Sequence, residues 1–240
     1  MQCLTYTFTD SVQRIGKWDW FNNQTNFDLS LKAVDAVLRF IQSSGSPQSY
    51  TLAPINEPAD NPDFSTFGTP AALSDNGAAW VQKYINAVVE HTKAVNPKIP
   101  VMFQGSFKGE PFWSGNFAAN TNIVFDVHNY YFGRPSDSDN VTISICSDAK
   151  MLAGDGKFPV FVGEWAIQTL SNNKFANRAK NLNTGLYAYN KYTQGNAYWT
   201  AKFFGNVSVA GEGVQADYWN YLNFIDMGIL EPSAGQNYCS

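Results

Sequence analysis

Two glutamates stand where short apolar segments end, in positions from which their carboxylates could act together. Glu57 lies in the segment INEP at 55–58, and Glu164 lies in the segment VGEW at 162–165. Side chains at the carboxyl ends of parallel strands face a common crevice, so the two can meet although they are far apart in the sequence. Cleavage of a glycosidic bond needs one protonated carboxylic acid and one ionised carboxylate. The two segments therefore predict a site for glycosidic cleavage.

The segments around these glutamates alternate between two hydrophobic patterns. Short apolar segments rich in β-branched or aromatic residues predict buried strands. They are 50–55, 99–104, 123–130, 158–163 and 196–203. Apolar residues repeated every three or four positions predict helices. They are 29–41, 78–95, 141–153, 174–192 and 214–228. Strands that alternate with helices indicate an α/β fold with parallel strands. No internal repeat or linker interrupts this pattern, so one domain spanning residues 1–240 is expected.

The number of predicted strands is too small for a closed eight-stranded barrel. Leu4, Tyr6 and Phe8 add at most one alternating strand, at 4–8. The five stronger strands occupy the chain from about residue 50 to 203, so eight such units would overrun the 240 residues. The fold is therefore either an open sheet or a barrel of which a part is missing.

The composition argues against two classes of partner. The net charge is −4, and charged residues make up only 15% of the chain, with no cluster of Lys and Arg. Nucleic-acid binding needs such a basic excess, and a membrane span needs about 20 consecutive apolar residues, which no segment has. Aromatic residues also make up 15% of the chain. They suit stacking on sugar rings, although large aromatic side chains mainly fill cores.

The sequence predicts no metal ion and no organic cofactor. Cys3, Cys146 and Cys239 do not have the spacing of metal ligands, and no glycine-rich nucleotide-binding motif follows a predicted strand. The first ten residues lack the basic and apolar regions of a secretion signal.

Three asparagines stand in Asn-x-Ser/Thr motifs, which can accept N-linked glycans. They are Asn23, Asn140 and Asn206. The chain is rich in Asn, Ser and Thr, and chance alone would give about this number of motifs. The motifs therefore leave glycosylation open.

Four motifs follow one another along the chain at or near the ends of predicted strands. They are Asn56-Glu57-Pro58, His128-x-Tyr130, Gly163-Glu164 and Trp199. In this order they resemble glycoside hydrolase family 5. Further details resemble the fungal exo-β-1,3-glucanase branch of that family, also called glucan 1,3-β-glucosidases. They are Phe107-Lys108-Gly109, Phe112-Trp113, Lys202 after Trp199, and Trp219.

The resemblance implies a retaining mechanism on a (β/α)8 TIM barrel. Glu57 matches the general acid/base and Glu164 the nucleophile, with their carboxylates roughly 5 Å apart. Asn56 matches the residue that hydrogen-bonds the 2-hydroxyl of the sugar. Tyr130 matches a hydrogen-bond donor to Glu164, and His128 matches a polar neighbour of the acid/base.

The resemblance also implies which aromatic residues contact the substrate. Trp199 matches the residue that forms the floor on which the sugar stacks. Trp165 and Phe132 are expected as outer sugar contacts, together with Phe107 and Trp113.

A disulfide between Cys146 and Cys239 is implied as well. Disulfides persist in oxidising compartments, so the full-length protein is expected to be secreted. Cys3 then has no intramolecular partner.

The order of the motifs sets which part of the barrel the chain provides. In the family the acid/base follows the fourth strand and the nucleophile follows the seventh. Only 56 residues precede Glu57, so strands 4–8 are expected and strands 1–3 are expected to be largely missing. Arg14 and Arg39 are the only arginines before Glu57, and neither has a position that matches the family's active-site arginine.

The predicted activity is hydrolysis of β-glucan, with fungal cell-wall β-1,3-glucan as the first candidate substrate. The substrate partner is then a polysaccharide or oligosaccharide, whose breakdown is polysaccharide catabolism. Cellulase, β-mannanase and β-1,6-glucanase activities remain open, because the catalytic residues are shared across the family. A catalytically inactive, carbohydrate-binding remnant is the alternative of a different class.

Overall fold

The computed structural model describes residues 19–239, so Cys3, Arg14 and the strand predicted at 4–8 lie outside the described residues. The chain divides into two compact units, of which the first ends at Asp126 and the second begins at Val127. Across residues 19–239, no helix is both long and apolar enough to span a lipid bilayer.

Two long amphipathic helices form much of the first unit. Helix α1 covers Gln24–Ser43 and helix α2 covers Asp75–Val95. Each begins after a side chain that accepts a hydrogen bond from a free backbone N–H, Asn23 for α1 and Ser74 for α2. The structure confirms both predicted helices and extends them at their N-termini, because the capped first turn precedes the regular apolar repeat.

The strands of the first unit pair in parallel. Strand β1 covers Val101–Gln104, a short helix α3 covers Glu110–Ser114, and strand β2 covers Ile123–Tyr131. Val101 to Gln104 lie opposite Ile123 to Asp126. The strand predicted at 50–55 is reduced to Leu52, which bridges in parallel to Val101. Pro54 has no N–H to donate to a strand ladder, so the pairing stops there.

The second unit continues the alternation of strands and helices. After β2 it contains α4 (Val141–Leu152), β3 (Val160–Thr169), α5 (Arg178–Tyr192) and β4 (Asn196–Tyr198). Strands β3 and β4 are parallel, with Val162 opposite Asn196 and Trp165 opposite Tyr198. The last predicted helix is divided into α6 (Ala216–Trp219) and α7 (Tyr221–Asp226), because Asn220 between them is extended.

The strands follow the order β1-β2-β3-β4 in one sheet. Helices lie between consecutive strands in the chain, which confirms the predicted α/β class with parallel βα units. Two of the predicted strand ends are wrong. Strand β3 continues to Thr169 rather than ending at 163, and β4 ends at Tyr198 rather than at 203. Glu164 therefore lies within β3, and Trp199 follows β4 directly.

A disulfide lies beside the core of the second unit. It joins Cys146 of α4 to Cys239 and closes a loop of 93 residues. A cross-link of this span stabilises a fold by about 2–4 kcal/mol, mainly by restricting the unfolded chain. The two sulfurs are bonded to each other, so neither is available as a thiolate ligand for a metal ion.

Candidate active site

Strand β2 places functional side chains on both of its faces. Successive side chains of a strand point in opposite directions. His128 and Tyr130 therefore share one face, where both approach Glu164 of β3. Asn129 and Tyr131 share the other face, where both join a polar network with Tyr189 of α5.

Glu164 is a buried carboxylate, with 8% of its surface exposed. The Tyr130 hydroxyl donates a hydrogen bond of 2.9 Å to Glu164 Oε2, and His128 Nδ1 lies 3.4 Å from the same oxygen. Burial disfavours the charged form of a carboxylate, whereas a hydrogen bond to the charge stabilises that form. These contacts fix the orientation of Glu164, and the Tyr130 hydroxyl is a donor that can stabilise the charged form a nucleophile requires.

The polar network on the opposite face anchors β2 to the helices behind it. The Tyr131 hydroxyl donates to Asp148 Oδ2 at 3.1 Å, and Asn129 Nδ2 donates to Tyr189 Oη at 3.0 Å. Arg134 forms an ion pair with Asp148. Burial raises the pKa of Tyr189 to about 12, and burial together with the nearby Tyr189 and Asp148 raises the pKa of Tyr131 well above its ordinary value. Both hydroxyls therefore remain protonated donors.

Sequence reasoning did not find this network. The signal that was available is the alternation of β2, since Asn129 and Tyr131 must face away from His128 and Tyr130. The partners Asp148 and Tyr189 come from two helices, and only the fold brings them to that face.

Four aromatic rings pack against one another and are here called the aromatic wall. They belong to Tyr130, Phe132, Phe203 and Trp219. The Trp219 ring stacks on Tyr130, with centroids 6.0 Å apart and planes at 22°. Phe132 and Phe203 lie 5.4 Å and 5.2 Å from the Trp219 ring. Flat apolar rings beside a buried carboxylate can stack on a sugar or on an aromatic group of a substrate.

The segment after β4 connects Trp199 to the wall. Trp199 is half-buried, and its backbone N–H donates to the Trp165 carbonyl at 2.8 Å. The peptide bond between Trp199 and Thr200 is cis, and the Thr200 N–H donates to the Trp219 carbonyl at 2.7 Å. Trp199 is thereby tied both to β3, which carries Glu164, and to the helix that carries Trp219.

In the first unit, Glu57 has an unusual backbone conformation. Its φ is +42°, in the left-handed region that side chains other than glycine seldom adopt. The residue also precedes Pro58, and this position normally favours an extended backbone. Strain of this kind costs on the order of 1–3 kcal/mol and is concentrated at functional sites.

The chain just after Glu57 is anchored to the start of α2. The Asp60 carboxylate accepts hydrogen bonds from the backbone N–H and the hydroxyl of Ser74, the residue that caps α2. A Cβ atom at Gly77 would lie 2.5 Å from Asp60 Oδ2, so only glycine leaves room for this contact. The anchor fixes the loop that carries Glu57.

Comparison with known proteins decides the family. A family model described as cellulase (glycosyl hydrolase family 5) matches residues 45–205, which is more than half of the chain. The chain belongs to glycosyl hydrolase family 5. The match includes Glu57, His128, Tyr130, Glu164 and Trp199, and it confirms the family that the order of the motifs predicted.

Two solved structures are similar to this chain over most of its length. The crystal structure of AoRut has 59% sequence identity and a TM-score of 0.88, and covers 90% of this chain. The crystal structure of a rutinosidase from Aspergillus niger has 57% identity and a TM-score of 0.87, and covers 89% of this chain. A curated relative, a probable glucan 1,3-beta-glucosidase A from Aspergillus clavatus, is 31% identical over an alignment of 94 residues that covers 35% of this chain.

The chain spans 60% of the length of each of the two solved structures and 21% of the length of the curated relative. Together with the four-stranded parallel sheet that residues 19–239 form, this share confirms the predicted incomplete (β/α)8 barrel of family 5.

The structure brings together part of the predicted family 5 site. His128 and Tyr130 both approach Glu164 within the second unit. The predicted place of His128 beside Glu57 stays a prediction. Asn56 is exposed and Glu57 half-buried in the first unit, and their pairing with Glu164 stays a prediction.

Trp165 does not fit the substrate contact that the sequence suggested. Its side chain is fully buried, its Nε1 donates to Asn196 Oδ1 at 2.9 Å, and its ring packs against Tyr189 and Tyr198. Because successive strand residues alternate, the residue after Glu164 points into the core rather than toward a substrate. Trp113 is likewise buried, at 1% exposure.

We predict that Trp165→Ala lowers the free energy of unfolding by about 3–5 kcal/mol, because it removes a large buried ring. Urea unfolding followed by circular dichroism measures the change. Phe204→Ala is the control, since that ring is 79% exposed and its loss should change stability little. Equal stabilities of the Trp165→Ala variant and the unaltered protein would contradict the core assignment.

Proposed function

We propose that the chain is part of a single catalytic domain that hydrolyses β-glycosides with retention of configuration. The observation that carries the proposal is the buried Glu164 carboxylate, held by Tyr130 and His128. A carboxylate held in this orientation is suited, in its ionised form, to attack a sugar carbon. Glu57, with its strained backbone, is proposed as the general acid/base.

In the first step, a Glu164 oxygen attacks the anomeric carbon as the bond from that carbon to the leaving oxygen breaks. Glu57 gives its proton to the leaving oxygen, and a glycosyl ester of Glu164 forms. In the second step, Glu57 takes a proton from water while the water oxygen attacks the same carbon. The ester bond breaks, and both glutamates return to their starting states.

The neighbouring residues are proposed to assist this sequence. Tyr130 stabilises the charge on Glu164 before attack and when the ester breaks, and its stacking on Trp219 supports the position of its hydroxyl. Asn56 is proposed to bind the sugar 2-hydroxyl. Trp199 is proposed as the stacking surface for the sugar, and Phe132 as an outer contact within the aromatic wall.

The proposed substrate is a β-rutinoside, a glycoside of the disaccharide rutinose. The relative from Aspergillus niger, named a rutinosidase, shares 57% identity over 89% of the chain, whereas the glucosidase relative shares 31% over 35%. This reverses the ranking expected from the sequence, in which fungal β-1,3-glucan came first. β-1,3-Glucan remains the second candidate, because the curated relative is named a glucan 1,3-beta-glucosidase.

We further propose that the protein is secreted. The disulfide between Cys146 and Cys239 supports this proposal, because structural disulfides form in oxidising compartments and are rare in the cytosol.

The activities of variants of the two glutamates should depend differently on the leaving group of the substrate. We expect Glu164→Gln to abolish hydrolysis of all substrates, since no nucleophile remains. Glu57→Gln should lose most activity on substrates with poor leaving groups but keep a large part of the first step on nitrophenyl glycosides, which need little protonation. Release of nitrophenol and of reducing sugar measures the two cases.

Glu90→Gln is the matched control, because Glu90 is an exposed glutamate paired with Lys93 on the surface of α2. It should leave activity unchanged. Equal activity of the unaltered chain and Glu164→Gln would contradict the enzyme proposal and favour a carbohydrate-binding remnant. Equal losses for both glutamate variants on every leaving group would contradict the separate roles.

A comparison of hydrolysis rates on three substrates tests the proposed substrate class. We expect kcat/KM for nitrophenyl β-rutinoside to exceed that for nitrophenyl β-glucoside by at least about tenfold, which corresponds to about 1.4 kcal/mol of added transition-state binding. Laminarin, a β-1,3-glucan, should be a poor substrate. Faster hydrolysis of laminarin than of the rutinoside would favour the second candidate.

A further inference from the structure

The three Asn-x-Ser/Thr motifs differ in how the folded chain uses their asparagine side chains. An N-linked glycan is attached to the amide nitrogen Nδ2, so the folded protein must leave that atom room for a bulky group. The surroundings of Asn23, Asn140 and Asn206 therefore distinguish motifs that are alike in sequence.

The side chain of Asn23 caps the start of α1. Its Oδ1 accepts a hydrogen bond from the Asn26 N–H at 3.2 Å, and its Nδ2 donates to Asp19 Oδ1 at 3.1 Å. Capping bonds of this kind stabilise the start of a helix. A sugar on Nδ2 would compete with the contact to Asp19 and disturb the cap.

Asn140 is held by a neighbouring carboxylate at the start of α4. Its Nδ2 lies 3.2 Å and 3.1 Å from the two oxygens of Asp137. The next two residues of the motif, Val141 and Thr142, are only 2% and 7% exposed. A glycan here would displace the nitrogen from Asp137 and crowd a buried helix start.

Asn206 has none of these constraints. It is exposed, and within residues 19–239 its side chain makes no hydrogen bond. The loop around it is nevertheless anchored, because the Ala216 N–H donates to the Gly205 carbonyl at 3.0 Å and the Gln215 N–H donates to the Val207 carbonyl at 2.9 Å. A glycan on this amide breaks no contact of the fold.

The residues beside Asn206 are apolar and strongly exposed. Phe204 is 79% exposed and Val207 is 62% exposed. Exposed apolar side chains close together favour association between molecules, and a bulky hydrophilic group next to them would cover them. A glycan on Asn206 would therefore shield exposed apolar surface from contact with other molecules.

The disulfide supplies an independent argument. Cys146 and Cys239 form a disulfide in the same unit that contains Asn206. Such bonds form in an oxidising compartment. In eukaryotic cells that compartment is also where N-linked glycans are added.

We propose that Asn206 carries an N-linked glycan and that Asn23 and Asn140 do not. This inference does not depend on the proposed activity. The test is to direct the full chain through the secretory pathway of a yeast host and to map glycopeptides of the secreted protein. Enzymatic removal of the glycans in ¹⁸O-labelled water marks each occupied asparagine with a mass label.

The label is expected at Asn206 and not at Asn23 or Asn140. Ser208→Ala should abolish glycosylation although Asn206 is retained, and Ser208→Thr, which preserves the motif, should keep it. A secreted, disulfide-bonded protein without the label at Asn206, or with the label at either of the other two sites, would overturn the proposal. Mapping the unaltered protein alone decides between these outcomes, so the test stands even where a variant fails to fold.

Discussion

The hydrogen bond from Tyr130 to the buried Glu164 carboxylate is the interaction on which the proposed chemistry depends. Removing a carboxylate from water disfavours its charge by several kcal/mol, so an ionised carboxylate in this position needs donors that are already oriented. Tyr130, at 2.9 Å, is such a donor, and His128 lies 3.4 Å from the same oxygen. Their positions follow from one structural fact, that both stand on the same face of β2.

The rest of the second unit holds β2 in that orientation. The network of Asn129, Tyr131, Asp148 and Tyr189 anchors the opposite face of the strand to α4 and α5. Trp219 stacks on the Tyr130 ring from α6, and the segment after Trp199 ties α6 to the end of β4. The buried polar groups thus fix a single geometry, since each lost partner would leave a donor or acceptor without compensation in the core.

The sequence predicted the elements well where one physical signal dominated. The apolar repeats in α1 and α2 and the apolar segments of β1 and β2 locate those elements to within a few residues. It failed where a second effect competed with that signal. The apolar character of 50–55 predicts a strand, but Pro54 removes a donor and leaves only a bridge at Leu52. Trp165 was expected in the cleft because it follows Glu164, but the alternation of β3 turns it into the core.

The sequence predicted which residues belong to the candidate site better than it predicted how they contact one another. The order of the four motifs identified the family, and it also implied the bond between Tyr130 and Glu164. The network behind β2 could not be inferred, because its members come from separate elements and carry no local motif. The strained φ of Glu57 likewise has no signature in the sequence, because the proline that follows favours an extended backbone instead.

Covalent trapping tests the central claim, that Glu164 is the nucleophile, most directly. A 2-deoxy-2-fluoro glycoside with an activated leaving group slows hydrolysis of the glycosyl ester more than its formation, so the intermediate accumulates. We predict that intact-mass spectrometry shows one added fluoroglycosyl group and that peptide mapping places it on Glu164. A label on any other residue, or hydrolysis with inversion and no label, would contradict the account.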